Sequence, residues 1–504
     1  MESYNFNLFL IIWLVCFLLT RLGLSKLFKL AGENPVMAWI PVVSWWFWIK
    51  VVGRPKWYFI GMLIPCVNIL FTFNLCLDIL RAFGKNKFWQ QFAGIVLTFF
   101  YFPILYFEKD LKYHGLAGTK EWREKNVPKN RWYREWADAI LFALYVAGGM
   151  RALFFDLYQI PTASMEGNMR VGDNLIVSRT GIGMRIPFTP VAIPILAQKT
   201  LPFSQIPGFS SAIQLPYMRL PGWTDIHNND VVVFNWPADG EEYPIDKKDN
   251  YVKRCVGIAG DSVNIIEGQV FINGVALPTV NKTQTVYEIA LNQTLTTEFL
   301  AEYDLGDCQV LDLNTRRYMI RTWKENAEAI SKNSMVDSIK TARRYYAEAS
   351  SQMFLASSHR DSIDFASTID NYGPFYLPKR GDKITLTPQN FDFYARAINT
   401  YEKGSIKQDG TSFYNEAIEK ITEYTFKYNY YWMMGDNRYN SLDSRMWGYV
   451  PETHVIGKPM FTFIGRKMVQ KIDSDGTPLI SDHRGSPDYT SAGWRWDKIL
   501  KGIE

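Results

Sequence analysis

The chain has 504 residues, room for about three domains at roughly 150 residues each. Its formal net charge of +5 is small for that length and produces no single-sign field of the kind nucleic-acid binders carry, which excludes nucleic acid as a partner. Apolar residues make up 47% and aromatics 15%, enough for a sizeable core. The five cysteines, Cys16, Cys66, Cys76, Cys255 and Cys308, show no metal-ligand spacing. Unpaired thiols are expected at Cys255 and Cys308, with a bond between them left open.

Apolar segments run over 6–25, 36–53, 57–80, 88–107 and 137–158, each near the ~20 residues a spanning helix needs. Residues 1–158 therefore read as a membrane anchor of four or five spans. A cleavable leader is the poorer reading of the first segment, because Arg21, Lys26 and Lys29 lie at its far end and further apolar segments follow at once. The second and third segments share Ile40-Pro41-Val42-Val43 and Ile64-Pro65-Cys66-Val67, either a weak repeat or shared composition. Proline kinks a membrane helix, so re-entrant or interfacial segments are an alternative there. The loop with Lys109, Lys112, Lys120, Arg123, Lys125, Lys129, Arg131 and Arg134 marks the cytoplasmic side. The segment 137–158 then runs outward and delivers everything after Gln159 to the extracytoplasmic face. Arg54, Lys56, Arg81, Lys85 and Lys87 lie on loops that would face opposite sides of such a bundle, which leaves the early topology open.

Beyond residue 160 short β-like runs at 174–178, 230–235, 251–258, 262–266, 269–272, 383–386, 430–434 and 460–464 alternate with Gly, Pro and Asn. They predict a mainly-β domain over 159–470, with large insertions at about 180–225 and 280–420. Residues 268–274 read as a strand closed by an Asn-Gly turn. One insertion reads as a helix over 323–353, rich in Ala, Lys and Glu without Gly or Pro. The apolar, Pro-rich stretch 181–220 is either a membrane-touching surface or a covering loop. The tail, 471–504, mixes Trp494 and Trp496 with cations, as an interfacial anchor or a packed strand would.

Three segments carry chemistry. Gln159-Ile160-Pro161-Thr162-Ala163-Ser164-Met165 sets a serine just after the last apolar segment. A serine hydroxyl needs a base, yet His114, His227, His359, His454 and His483 are scattered away from other candidate residues. Lys253, in the strand-like run Tyr251-Val252-Lys253-Arg254-Cys255, is the alternative: on an inward face, desolvation would lower its pKa and let it act as a neutral base. The third segment, Gly435-Asp436-Asn437-Arg438-Tyr439-Asn440-Ser441-Leu442-Asp443-Ser444-Arg445, is a polar loop in which Asp436, Arg438, Asp443 and Arg445 can pair, and Ser441 can orient an amine.

In this order the three motifs resemble those of the type I signal peptidases, the serine/lysine leader peptidases. Ile-Pro-x-x-Ser-Met sets the family nucleophile on Ser164, and Tyr-Val-Lys-Arg-x-Val-Gly-x-x-Gly-Asp its general base on Lys253. The loop 435–445 matches the supporting motif, and 229–234 the strand before the lysine. The resemblance covers about 160–275 and 425–465. It implies a membrane-anchored endopeptidase that cuts signal peptides from exported preproteins at the extracytoplasmic face of a bacterial-type plasma membrane. Its partners would be preproteins and the lipid bilayer, and it would need no metal or organic cofactor. By resemblance, Thr162 and the Ser164 backbone amide form the oxyanion hole and Ser441 holds Lys253. The substrate strand then lies between Gln159-Ile160 and Tyr251-Val252, with small residues before the cut. Thr162, Ala163 and Tyr439 depart from the family's usual serine, glycine and aspartate, without removing a catalytic group. The rival readings are a self-cleaving repressor, for which no DNA-binding domain is visible, and a scaffold, which would have tolerated loss of Ser164 or Lys253. Proteolysis inside the bilayer is a further rival, and it would require a histidine in the apolar segments.

Overall fold

A computed structural model describes the chain except residues 1, 64–66, 127–131, 190–198, 201–206, 213, 241, 281, 307, 343–367, 481–486, 497–498, 500–501 and 504. It forms two compact units, Met1–Asp156 with Pro190–Leu220, and Leu157–Thr189 with Pro221–Glu504.

The first unit is helical: α1 (Glu2–Leu30), a 3-10 turn (Pro35–Ala38), α2 (Val43–Val52), α3 (Tyr58–Leu63), α4 (Val67–Ala82), α5 (Phe88–Val96), α6 (Thr98–Phe107), α7 (Lys120–Asn126) and α8 (Trp132–Phe142). A π-helical stretch, Ala143–Ala147, carries α8 into α9 (Gly148–Leu153). Leu24, Phe28, Ile49, Leu75, Leu80 and Phe102 are among its buried core.

The expected multi-span bundle is not supported. Among the described residues no single helix is long and apolar enough to cross a membrane, and only the pair α5 and α6, bent by 117°, passes on length and composition. The physical reasons lie at the breaks. Pro41 leads into Val42 at φ 67, so helix begins only at Val43. Gly53, left-handed at φ 77, ends α2. Leu97 leaves helical geometry between α5 and α6. The segment expected to span 137–158 stops at Leu153, and Phe155–Gln159 becomes β1, recruited into a sheet. Ile64-Pro65-Cys66, Lys129 and Arg131 lie outside the described residues.

The second unit is mainly β. After β1 come β2 (Asn174–Ser178), β3 (Val231–Asn235), β4 (Asn250–Gly257), β5 (Ser262–Ile266), β6 (Gln269–Ile272) and β7 (Val275–Ala276). An inserted sheet follows, with β8 (Thr285–Leu291), α10 (Thr297–Glu302), β9 (Cys308–Asp312), β10 (Arg317–Thr322), α11 (Lys324–Ile330) and β11 (Val336–Thr341). Next are β12 (Tyr372–Tyr376), β13 (Lys383–Thr385), α12 (Pro388–Arg396), β14 (Lys407–Asp409), β15 (Ser412–Tyr414), β16 (Lys420–Ile421) and β17 (Glu423–Thr425). The chain closes with β18 (Tyr430–Met434), α13 (Ser444–Trp447), β19 (Val450–Pro451), β20 (Val455–Ile464), β21 (Arg466–Gln470) and β22 (Tyr489–Trp494).

The main sheet runs β1-β2-β20-β3-β4-β18-β19, with β3 buried at all five positions, as a central strand of Val and Phe should be. All six expected runs up to 272 and at 430–434 are strands within a residue or two, 383–386 shortens to β13, and 460–464 is the end of β20. The helix expected over 323–353 is a correction. Only Lys324–Ile330 is helical, while Val336–Thr341 is a strand on β8 with Ile339 facing Ile289. Cross-strand burial of Val336 and Ile339 overrides a helix-favouring composition; 343–353 lies outside the described residues. The tail supplies β22, which pairs with β21 and leaves Trp494 and Trp496 exposed. Cys255 and Cys308 are buried and not joined by a disulfide, and burial pushes the Cys255 thiol well up.

Candidate active site

Ser164 sits in a one-turn 3-10 helix, Ala163–Met165, entered from the extended Thr162 (φ −130, ψ 154). Pro161 holds the chain extended up to this point and the short turn then presents the hydroxyl of the buried Ser164 to a cleft. Two backbone clamps hold the turn: Asn437 N–H donates to Ser164 O at 3.1 Å, and Asn437 Nδ2 to Ala163 O at 3.2 Å. Gly435 packs so closely that a Cβ there would collide with Ser164 O and Ser441 Oγ.

Lys253 is 2% exposed and its Nζ donates to Ser164 Oγ. Strand β4 delivers it, pairing Lys253 with Val232 of the buried β3. Burial pushes the Lys253 ammonium down to about 8, against the opposing pull of Asp443 and Asp436. Tyr251 adds a ring face 5.5 Å from Nζ. Thr162 Oγ1 lies 3.5 Å from Ser164 Oγ. A hydroxyl, an amine whose pKa is lowered toward neutrality and a neighbouring hydroxyl donor thus converge, which is what acyl transfer requires.

Two buried ion pairs build the floor. Arg254 grips Asp436 with a fork, Nε to Oδ1 at 2.7 Å and Nη2 to Oδ2 at 2.8 Å, and Asn168 Nδ2 donates to the same carboxylate at 2.8 Å. Arg445 grips Asp443 through Nε and Nη2 at 2.9 and 2.8 Å. Burial pushes the Asp443 carboxyl up, but Arg445 and the Gly435 N–H outweigh it and hold the carboxyl below its ordinary range. Of the four charged loop residues, Asp443 and Arg445 pair with each other, while Asp436 and Arg438 do not. Asp436 takes its partner from β4, and Arg438 contributes its carbonyl oxygen, which accepts from Arg445 Nη2 at 2.6 Å. Ser441 lines the site, yet its buried hydroxyl makes no hydrogen bond among the described residues, so the expected Ser441 to Lys253 bond is not formed.

These groups open on a cleft of about 440 Å³. One wall is Tyr158 to Thr162, including Gln159 and Ile160; the other is Asn250 to Val252, including Tyr251; Tyr439 to Leu442 closes the end. No histidine lines it. Ile160 is buried, and its backbone is committed to the turn behind it, N–H to Asp173 O and O from Gly172 N–H, both 2.9 Å. Strand β1 is the sheet's edge, and β18 pairs with β4 only from Arg254 onward. The cleft thus runs between two strand edges.

Sequence reasoning missed the roles of Asn437, Asn168 and the inserted sheet. Gln284 N–H, at the start of that insertion, donates to Asp436 O at 2.9 Å, and Tyr439 OH donates to Asp370 of the same insertion at 2.7 Å. The tyrosine replacing the family's aspartate therefore has an inserted carboxylate as its partner. Asn437 stood inside the loop motif, and its side-chain amide was the available signal.

A family profile described as "Signal peptidase, peptidase S26" matches residues 133–362 and 378–464. A second profile, for a family of unknown function, matches 36–116. Among curated proteins the chain is similar to "Signal peptidase I" of Buchnera aphidicola subsp. Acyrthosiphon pisum, 23% identical over 340 residues, covering 66% of this chain and 75% of the relative. It is similar to "Signal peptidase I" of Helicobacter pylori, 21% identical over 376 residues, covering 73% and 91%. It also resembles "Signal peptidase I" of Aquifex aeolicus, 42% identical over 50 residues, covering 10% and 20%.

Proposed function

We propose a serine/lysine mechanism on the premise that the chain belongs to the signal peptidase family, peptidase S26, and is a serine endopeptidase that removes signal peptides from preproteins. The observation that carries the mechanism is the buried contact between Lys253 Nζ and Ser164 Oγ. With Lys253 neutral, the Ser164 hydroxyl gives its proton to Nζ as Oγ attacks the scissile carbonyl carbon. The oxyanion is held by the Thr162 hydroxyl and the Ser164 backbone N–H. The proton then passes from Lys253 to the leaving amine, the peptide bond breaks, and the new amino terminus departs. Lys253 next takes a proton from water as the water oxygen attacks the ester carbon, and it returns that proton to Ser164 Oγ as the ester bond breaks and the signal peptide leaves with a new carboxyl terminus. Asp443 with Arg445, and Asp436 with Arg254, are positioning residues that fix the loop behind Lys253.

The preprotein would bind as an extended strand between the free edge of β1, which ends at Gln159, and the open edge of β4 at Tyr251-Val252, in the manner of strand addition, with Ile160 lining the wall but its backbone already bonded. The enzyme acts at a bacterial plasma membrane, attached through its helical unit, with the site on the extracytoplasmic face. Support for attachment comes from large apolar side chains left exposed on those helices, among them Ile60, Phe100 and Ile104.

The test is cleavage of a preprotein by purified wild type, Ser164→Ala and Lys253→Ala in detergent, followed by gel. Wild type should release mature protein and both variants should lose nearly all activity. A variant that cuts normally removes that residue from the mechanism.

A further inference from the structure

Lys26, Lys50 and Lys85, from three different parts of the helical unit, make contacts at one face of it. Segment 108–118 gathers the C-terminal ends of four helices there. Lys26, near the end of α1, donates to Tyr106 O at 2.7 Å and Glu108 O at 2.5 Å, at the end of α6. His114 N–H donates to Ala82 O, the last residue of α4, at 2.7 Å. Gly118 N–H donates to Val52 O at 2.6 Å and Tyr113 OH to Val51 O at 2.7 Å, at the end of α2. Lys50 pairs with Glu33 at 2.8 Å, and Lys85 with Glu108.

Four ends that point the same way require the chain to turn back between them. Residues 31–52 leave this face after α1 and return to it with α2; residues 83–107 leave it after α4 and return with α6. The returning helices have 10 residues each, about 15 Å at 1.5 Å per residue, half of a hydrocarbon core about 30 Å thick. The far ends are apolar: Trp39, Ile40 and Val42 at one turn, Leu97 and Phe100 at the other, are exposed. Exposed Lys29, Asn86, Lys87 and Lys112 stand at the near end, with exposed Trp89 and Phe107 beside them, an interfacial composition. Lipid tolerates a turn only where its backbone groups are satisfied. Ser44 N–H bonds Ile40 O at 3.0 Å and Trp45 N–H bonds Val42 O at 3.0 Å. At the second turn, Leu97 N–H bonds Ala93 O at 2.9 Å, and Leu97 O accepts from Phe100 and Tyr101 at 2.9 and 2.8 Å.

We propose that residues 31–52 and 83–107 form two re-entrant hairpins that enter and leave the lipid bilayer through the same face and turn about halfway across it, with 108–118 lying at that surface. The proposal rests on the membrane attachment described above. It is tested with full-length protein in bacterial membranes, in a cleavage-competent background whose native cysteines are replaced. Single cysteines are introduced as Lys29→Cys, Asn86→Cys and Lys112→Cys at the face, and as Ile40→Cys, Leu97→Cys and Phe100→Cys at the turns. A membrane-impermeant maleimide is applied to intact spheroplasts and to inverted vesicles. All three face positions should label from one and the same side. The turn positions should escape the impermeant reagent from both sides and react with a membrane-permeant maleimide. Labelling of a turn position from the side opposite the face positions, which a spanning helix would produce, overturns the proposal. Protein that washes off the membranes in alkaline carbonate overturns the attachment itself, a separate readout taken before labelling.

Discussion

Replacing Lys253 with methionine separates what this residue does for the reaction from what it costs the fold. An ammonium lowered from 10.5 to about 8 by burial is disfavoured in the folded state by about 3 kcal/mol at pH values below 8, at ~1.4 kcal/mol per unit. The sign follows from proton counting. Between the folded value near 8 and the unfolded value of 10.5 the unfolded chain holds more protons, so wild-type stability rises with pH across that window. Below 8 the full penalty is present, and above 10.5 it is gone. Methionine fills nearly the same volume and never charges, so Lys253→Met is expected to be inactive and yet more stable than wild type at pH 7. Loss of the hydrogen bond to Ser164 takes back about 1 kcal/mol, leaving a gain of roughly 2 kcal/mol, or several degrees in melting temperature. The assay is thermal unfolding of both proteins in detergent at a series of pH values from 7 to 10.5. The advantage should shrink as pH rises and give way to a deficit of about 1 kcal/mol near the top of the range, where only the lost hydrogen bond remains. A variant that melts below wild type by the same margin at every pH would refute the argument that burial holds this amine near neutrality.

The same value fixes the rate profile: kcat/KM should fall about tenfold per pH unit on the acid side of pH 8, because only the neutral amine accepts the serine proton; a profile flat down to pH 6 would contradict it. Thr162→Val should lower kcat by about 10²- to 10³-fold, the usual cost of one oxyanion donor, while Thr162→Ser retains most activity; equal losses in both would point to packing instead. Gly435→Ala sets a methyl against Ser164 O and Ser441 Oγ, and should lower kcat with folding retained, as judged by an unchanged circular dichroism spectrum. Asp436→Asn leaves the Arg254 guanidinium buried without its charge partner, and should destabilise the protein by about 3–5 kcal/mol, read as a lowered denaturation midpoint.

The residues that meet in the candidate site were legible in the sequence because their motifs are local. A serine framed by Pro161 and Met165, a lysine in an apolar strand and a loop dense in Asp and Arg are short motifs, and the alternation of the strands around them is a period-two pattern that residues carry by themselves. The pairings between those motifs were not legible. Asp436 finds Arg254, 182 positions away, rather than Arg438 two positions on, because β4 and β18 lie side by side in the sheet and no sequence spacing records that. Ser441 faces the cleft without bonding Lys253, and Tyr439 turns to Asp370 in an insertion. The apolar segments determined that most of the described residues before 154 would be helical and apolar, a consequence of composition. Only the tertiary structure decided that two of those segments fold back on themselves, because the breaks at Val42 and Leu97 are short backbone irregularities whose effect appears when segment 108–118 draws four helix ends to one face. The strand at 336–341 went the same way: its composition favours helix, and its pairing with β8 buries Val336 and Ile339 only as a strand.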